Sequence, residues 1–213
     1  SYINNIKKCL YYLYMKILIT TSGIGSRLGN ITDYNNKSLV RIGNKCALDY
    51  IIDNYKHIEN VEFIFTIGYL GDIVKQYINL VYKDKLNITF IEIDNYKGNG
   101  SSLGYSLLQT KKYIKSPFIF HCCDSIVFDK FDINFKSNII FGSIHNDSTQ
   151  YSSVIVNNNK VKQINEKGSE NYDYIYCGIA YIHDYNIFFE KLKQLYIKNK
   201  NFRSLSDIHS FNE

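Results

Sequence analysis

From Lys16 to Asp124 the chain alternates short β-branched apolar runs with segments whose apolar residues recur at helical spacing. This alternation restricts the fold more than any other feature. Lys16–Thr20, Phe63–Ile67, Ile88–Ile93 and Phe118–Cys122 read as strands, the last opened by Pro117, the only proline. Between them, Cys46–Tyr55 sets Ala47, Leu48, Ile51, Ile52 and Tyr55 on one stripe. Asp72 is expected to cap a helix whose apolar face is Ile73, Val74, Tyr77, Ile78 and Val81. A Gly-rich turn, Lys97–Gly100, leads into a further helix from about Ser102 to Tyr113. Strands that each return through a helix lie parallel, so this part predicts a parallel, doubly wound sheet. Beyond Asp124 the pattern changes. Ile139–Ser143, Ser153–Val156, Lys160–Ile164 and Tyr174–Ile182 read as strands, with a hairpin turn at Asn157–Asn159, and a long helix spans about Ile187–Lys198. The expected fold class is α/β, a mostly parallel (mixed) central sheet with helices on both faces.

At 213 residues the chain fits one domain and can bury a core without disulfide or metal. The only methionine is Met15, so residues 1–14 are set aside as an N-terminal extension, and the domain is expected over 15–213. The net charge of +5 comes from 25 basic against 20 acidic residues, without a run of like charges. That excludes nucleic acid as the default partner and suits an anionic small molecule. The five cysteines, Cys9, Cys46, Cys122, Cys123 and Cys177, are odd in number and lack Cys-x-x-Cys spacing. They read as reduced thiols of a cytoplasmic protein, with Cys122 and Cys123 on opposite faces of a strand. No apolar stretch reaches membrane-spanning length and no signal peptide is read, so no membrane partner is expected. A homo-oligomer is left open.

Three segments carry candidate chemistry. Thr21-Ser22-Gly23-Ile24-Gly25-Ser26-Arg27-Leu28 follows the first strand directly. Its glycines let backbone N–H groups approach phosphate oxygens, Ser26 adds a hydroxyl and Arg27 a planar fork. A dinucleotide fingerprint would need glycine where Leu28 stands, and a Walker A loop would need Gly-Lys-Ser/Thr; neither is present. Asn36-Lys37-Ser38-Leu39 ends the same long loop, where Lys37 can reach those phosphates or simply sit in solvent. Asp124 stands at the C-terminal end of the fourth strand, outside which ligands of open parallel sheets bind. A carboxylate there faces phosphates through Mg²⁺, or caps a turn. His121 and His183 read as core or rim.

The Gly-x-Gly-Ser-Arg-Leu loop, the Lys-Ser-Leu after it and the strand ending in Asp124 together resemble the nucleotidyltransferases that activate sugar phosphates and related phosphorylated alcohols. That family opens with a Gly-rich loop ending in Thr/Ser-Arg-Leu/Met, followed by Pro-Lys-x-Leu. Here Asn36 replaces the proline and Ser22 a common glycine. Asn99-Gly100-Ser101-Ser102 is similar to the family's base- and ribose-contacting turn. Tyr151-Ser152-Ser153-Val154 resembles a stretch at the sugar site, Asn165-Glu166-Lys167 the Glu-Lys pair there, and Cys177-Gly178-Ile179 the strand that follows.

The resemblance implies a nucleotide-diphospho-sugar-transferase-like fold. It also implies transfer of NMP from a nucleoside triphosphate to a phosphorylated sugar or alcohol, with release of pyrophosphate. Thr21, Ser22, Gly23, Gly25, Ser26, Gly100 and Ser101 would hold the nucleotide. Arg27 would stabilise the leaving pyrophosphate, Lys37 the charge near the α-phosphorus, and Asp124 would hold Mg²⁺. Ser152, Glu166, Lys167 and Gly178 would hold the second substrate. Two rivals are a glycosyltransferase of the same broad fold, weakened because Asp124-Ser125-Ile126 is not Asp-x-Asp, and a non-catalytic nucleotide- or sugar-binding module. The family's second metal-binding aspartate, in a Trp-Asp-Thr-Gly-like stretch, has no counterpart before Glu213, and Asp207 reads as a helix N-cap. The chain is therefore expected to be truncated and to bind better than it turns over.

Overall fold

The computed structural model describes residues 14–128, 133–198 and 205–211. The extension expected over residues 1–14 lies, Tyr14 apart, outside them. The strands of the central sheet are β1 (Met15–Thr20), β2 (Val61–Ile67), β3 (Asn87–Glu92), β4 (Phe118–Cys122), β5 (Ile139–Ser143), β6 (Ser153–Asn157), β7 (Lys160–Asn165) and β8 (Tyr174–Ile182). The helices are α1 (Ala47–Tyr55), α2 (Gly71–Tyr82), α3 (Leu103–Thr110) and α4 (Tyr185–Lys198). One mixed sheet runs in the order β3-β2-β1-β4-β8-β6-β7, with β5 also paired to β8. The strands β3, β2, β1 and β4 are mutually parallel, and β8 joins β4 antiparallel.

Alternation along β1 divides the core. Ile17 and Ile19 face one side with Leu48, Ile51 and Ile52 of α1 and Val74 and Ile78 of α2. Leu18 faces the other with Leu107 of α3 and Phe188, Phe189 and Leu192 of α4. Cys123 joins the first cluster and Cys122 packs against the second, so the two thiols do part to opposite sides. The hairpin expected at Asn157–Asn159 forms, with φ 49° at Asn158 and φ 59° at Asn159, the paired positive values of a tight hairpin turn. Among the described residues no helix is long and apolar enough to cross a membrane.

Several element ends shift by one or two residues from the sequence reading, and two helix ends differ for a physical reason. The cap of α2 is Leu70, in a left-handed conformation with φ 49°, and Asp72 sits inside the first turn, where it complements the helix dipole. The helix expected to reach Tyr113 ends at Thr110 in a turn that brings the chain back to β4.

β8 is long enough to serve three neighbours. Its Ala180 pairs with Phe120 of β4 on one edge and Ile140 of β5 on the other. Its Ile175 pairs with Ser143 of β5 and Ser153 of β6. β4 and β6 therefore share one edge of β8 and part at Gly178, where the β5 register shifts. Gly178 has φ 71°, and a Cβ there would lie 2.6 Å from Cys122 Sγ. Only glycine lets β8 bend this close to the end of β4.

One buried carboxylate joins the two helices of the first face. Asp49 accepts hydrogen bonds from Cys46 N (3.0 Å), Tyr77 Oη (2.8 Å) and Tyr82 Oη (2.7 Å). Burial alone would raise its pKa, but the donors at Tyr82, Cys46 and Tyr77 outweigh that and hold it below the usual value. The stability it contributes is thus present at neutral pH and lost as pH falls below the ordinary carboxylate range. Asp49→Ala is expected to cost about 3 kcal/mol, because three donors lose their acceptor. Urea unfolding at pH 7 checks this, with a lower midpoint and an unchanged slope as the expected outcome.

Candidate active site

The loop after β1 is built around Gly25. Its φ of 74° is left-handed, and a Cβ on it would meet Lys37 Cβ at 3.0 Å and Thr32 Cγ2 at 3.1 Å. The lysine stem lies directly beneath the loop. Lys37 follows Asn36, which caps a short 3-10 turn, Lys37–Leu39, through its side chain. From there Lys37 Nζ reaches Asp124 Oδ2 at 3.0 Å, joining positions 87 residues apart. Burial would lower the lysine pKa, but Cys123 and Asp124 offset this and the net direction is up. Burial would raise Asp124, yet Lys37, the Cys122 thiol and Arg27 bring it down. Both groups are charged at neutral pH.

His121 props the turn that carries Asp124. Its Nδ1 accepts from Tyr55 Oη (2.7 Å) and its Nε2 donates to Ser125 O (2.7 Å). Burial lowers its pKa to about 4, so it is neutral and structural, as the sequence reading had it. Ser125 Oγ in turn donates to Cys177 O, binding the Asp124 turn to β8 beside Gly178.

Two cavities open on this floor. The first, about 460 Å³, is lined by Ser22, Gly23, Gly25, Ser26, Arg27, Lys37, Ser101 and Asp124, with Tyr96 and Ser102 beside them. The second, about 440 Å³, lies at the fork of β4 and β6 and is lined by Tyr151, Ser152, Lys167, Tyr176, Gly178 and Asp207. Arg27, Leu103, Cys122 and Asp124 border both. The expected residues from the β1 loop, the Lys37 turn and the β4 end thus share one cleft at the C-terminal ends of the parallel strands.

Three expected residues stand apart. Thr21 is turned into the sheet, with its hydroxyl donating to Thr66 O at 2.7 Å, because the residue continues the strand alternation. Gly100 belongs to the adjoining turn, with φ 79°, and does not line the cavity that Ser101 lines. Glu166 lines neither cavity; its Oε1 lies 3.1 Å from His209 Nε2 on the surface.

The sequence reading missed Asp207 as a wall of the second cavity. It is not an N-cap: it is the first residue of a 3-10 helix, Asp207–Phe211, buried and hydrogen-bonded by Tyr176 Oη. The segment is docked through Leu205 O, which accepts from Gly104 N of α3 at 2.8 Å. No local pattern marked this residue, since its partner lies 31 positions away in β8.

One carboxylate borders the cleft floor, and among the described residues there is no group of three or more His, Cys, Asp or Glu that could hold a metal ion. A single exposed carboxylate suits a hard cation carried mainly by water and substrate phosphates.

The sheet order, the loop after β1 and the two-lobed cleft define a nucleotide-diphospho-sugar-transferase-like α/β fold. No family model matches the chain. In sequence it is similar to the glucose-1-phosphate cytidylyltransferase of Salmonella typhimurium, 27% identical over 150 residues, which are 62% of this chain and 57% of that protein. Its fold is shared by the CTP:phosphocholine cytidylyltransferase of Streptococcus pneumoniae (TM-score 0.73, 19% identity, 92% of this chain and 83% of that one). The inositol-1-phosphate CTP transferase of T. maritima shares it too (TM-score 0.66, 18% identity, 93% and 80%). The resemblance to sugar-phosphate nucleotidyltransferases read from the motifs therefore holds in sequence and in fold. The match spans little more than half the length of that Salmonella relative.

Burial pushes the Asp207 carboxyl from 3.8 up to about 6, against the hydrogen bond from Tyr176. A raised folded-state pKa means that the fold binds the proton more tightly than the unfolded chain. Stability from this group is full below about 4 and falls as pH rises to about 6. Asp207→Asn, which does not ionise, should remove this loss. Thermal melts of both proteins at pH 4 and pH 7 are expected to diverge by roughly 3 kcal/mol in favour of the variant at the higher pH. A constant difference across that range would contradict the assignment.

Proposed function

We propose that this chain transfers a nucleoside monophosphate from a nucleoside triphosphate to a phosphorylated sugar or alcohol, with release of pyrophosphate. The observation that carries the reading is the pair of cavities meeting at Arg27 and Asp124, with Lys37 in the first of them bonded to Asp124. Two substrates bound one in each lobe have their reacting phosphates side by side, and phosphoryl-type transfer needs little beyond such placement and charge neutralisation.

In this reading the triphosphate lies along Gly23–Arg27, where loop N–H groups and the Ser26 hydroxyl hold its oxygens. Arg27 stands where the β- and γ-phosphates depart. The acceptor's phosphate oxygen attacks the α-phosphorus, the bond to the bridging oxygen of the β-phosphate breaks, and its electron pair leaves with pyrophosphate. Lys37 neutralises the charge that gathers on the α-phosphate oxygens. Lys167 holds the acceptor phosphate, and Ser152 and the Gly178 backbone border the rest of that molecule. Asp124 would hold a divalent cation, Mg²⁺ by its preference for oxygen and phosphate, which supplies positive charge and aligns phosphate oxygens. The free thiols at Cys46, Cys122, Cys123 and Cys177 support a cytoplasmic setting.

Removing the ammonium of Lys37 should lower kcat for pyrophosphate release by about 10²–10³, with a smaller change in nucleotide affinity. The test is a coupled pyrophosphate assay over cytidine, uridine and thymidine triphosphates with sugar phosphates and phosphocholine, alongside calorimetric titration of each triphosphate with and without Mg²⁺. Normal turnover by Lys37→Ala would remove the proposed role. Nucleotide binding without pyrophosphate release from any pair would favour a binding module instead.

A further inference from the structure

The loop that carries Arg27 and Lys37 is held at its end by one buried amide. Asn36 is fully buried. Its Nδ2 donates to Thr21 O at 2.9 Å and to Tyr69 O at 2.7 Å, and its Oδ1 accepts from Ser38 N at 3.0 Å and Ser38 Oγ at 2.8 Å. Both amide hydrogens and both lone pairs are therefore used. Tyr69, just past β2, completes the frame. Its N–H donates to Ser22 O at 3.0 Å, and its hydroxyl donates to Thr32 O at 2.8 Å and Asp33 O at 3.2 Å. The start, middle and end of the loop are all referred to the same fixed point at the end of β2.

We propose that Asn36 is a positioning residue for Lys37, its side-chain amide fixing the backbone turn from which the ammonium meets Asp124 and the reacting phosphates. This rests on the nucleotidyl-transfer reading above. Asn36 has φ −70°, the value a proline ring enforces, and an extended ψ of 140° that proline also adopts. A free asparagine backbone visits many other conformations, and the four side-chain hydrogen bonds remove them. The stem of Lys37 has little tolerance for a shift, because Gly25 lies against it. A displacement of an ångström at the ammonium separates a stabilised transition state from an unassisted one.

Two substitutions test this. Asn36→Ala frees the turn and should lower kcat about 10- to 100-fold while KM for the triphosphate changes by no more than about threefold. Asn36→Pro lacks the amide but restores the same φ, and should recover most of that loss. A role in bulk stability alone would leave the proline variant as impaired as the alanine variant. Asn36→Ala that melts cooperatively yet keeps full kcat, or folded Asn36→Pro as slow as Asn36→Ala, overturns the proposal. Where Asn36→Ala does not fold, the proline variant decides alone. Turnover near wild type supports the role, and a folded protein as slow as Lys37→Ala overturns it.

Acetylation of Lys37 by acetic anhydride, read by peptide mass mapping, follows the clamp without turnover. Slow labelling in the wild type and Asn36→Pro with faster labelling in Asn36→Ala supports the clamp, and equal rates in all three overturn it. A wild type that releases no pyrophosphate yet shows the labelling contrast would overturn the functional reading and leave the clamp standing.

Discussion

The contact on which the rest depends is the ion pair between Lys37 and Asp124. It closes a circuit that the backbone alone does not close: the loop leaving β1 meets the turn leaving β4. Its geometry is prepared from both sides. Asn36 and Gly25 fix the lysine, while His121, Ser125 and Cys122 fix the carboxylate. An exposed pair of this kind adds little stability. Here the lysine is half-buried, the carboxylate is exposed, and spent hydrogen bonds surround both, so the pair reads as a poised arrangement rather than as a strut. In the proposed reaction, a substrate phosphate entering the cleft would offer Lys37 a second anion and leave Asp124 free for a cation.

The second lobe comes from topology. A parallel sheet alone gives one crevice above its strand ends. Setting the long antiparallel β8 beside β4, and letting β6 take over the same edge beyond Gly178, opens a gap that no main chain fills. Tyr176, Asp207 and Ser152 line that gap. The segment carrying Asp207 docks against α3, whose preceding turn borders the other lobe, so both cavities are framed on one rigid core.

Much of this was legible locally. Strand limits such as Phe118–Cys122 and Tyr174–Ile182 follow from β-branched runs, and the loop glycines follow from their place after a buried strand. Leu70 was not legible as a cap, because leucine carries no preference for a left-handed conformation and tertiary packing imposed it. Thr21 was misplaced by one turn of the alternation: a hydroxyl in a polar loop looks available until the neighbouring strand's Thr66 O claims it. Asp207 depended on a long-range partner. Asn36 did leave a trace, since Asn-Lys-Ser is the pattern of a side chain that bonds its own backbone two residues on, but the two bonds from its amide nitrogen come from distant segments.

The neutral His121 has a consequence for how the cleft responds to its surroundings. With the imidazole lowered to about 4, the Cys122 thiol raised well above its ordinary value, Lys37 raised and Asp124 lowered, the floor of the first cavity keeps one charge pattern from mildly acidic to mildly alkaline solution. A substrate phosphate monoester, in contrast, takes its second charge near pH 6. In the proposed reaction the cleft is a fixed electrostatic die into which a variable substrate would be pressed, so that ligand protonation, not protein protonation, would set the field that each incoming phosphate adds to the site.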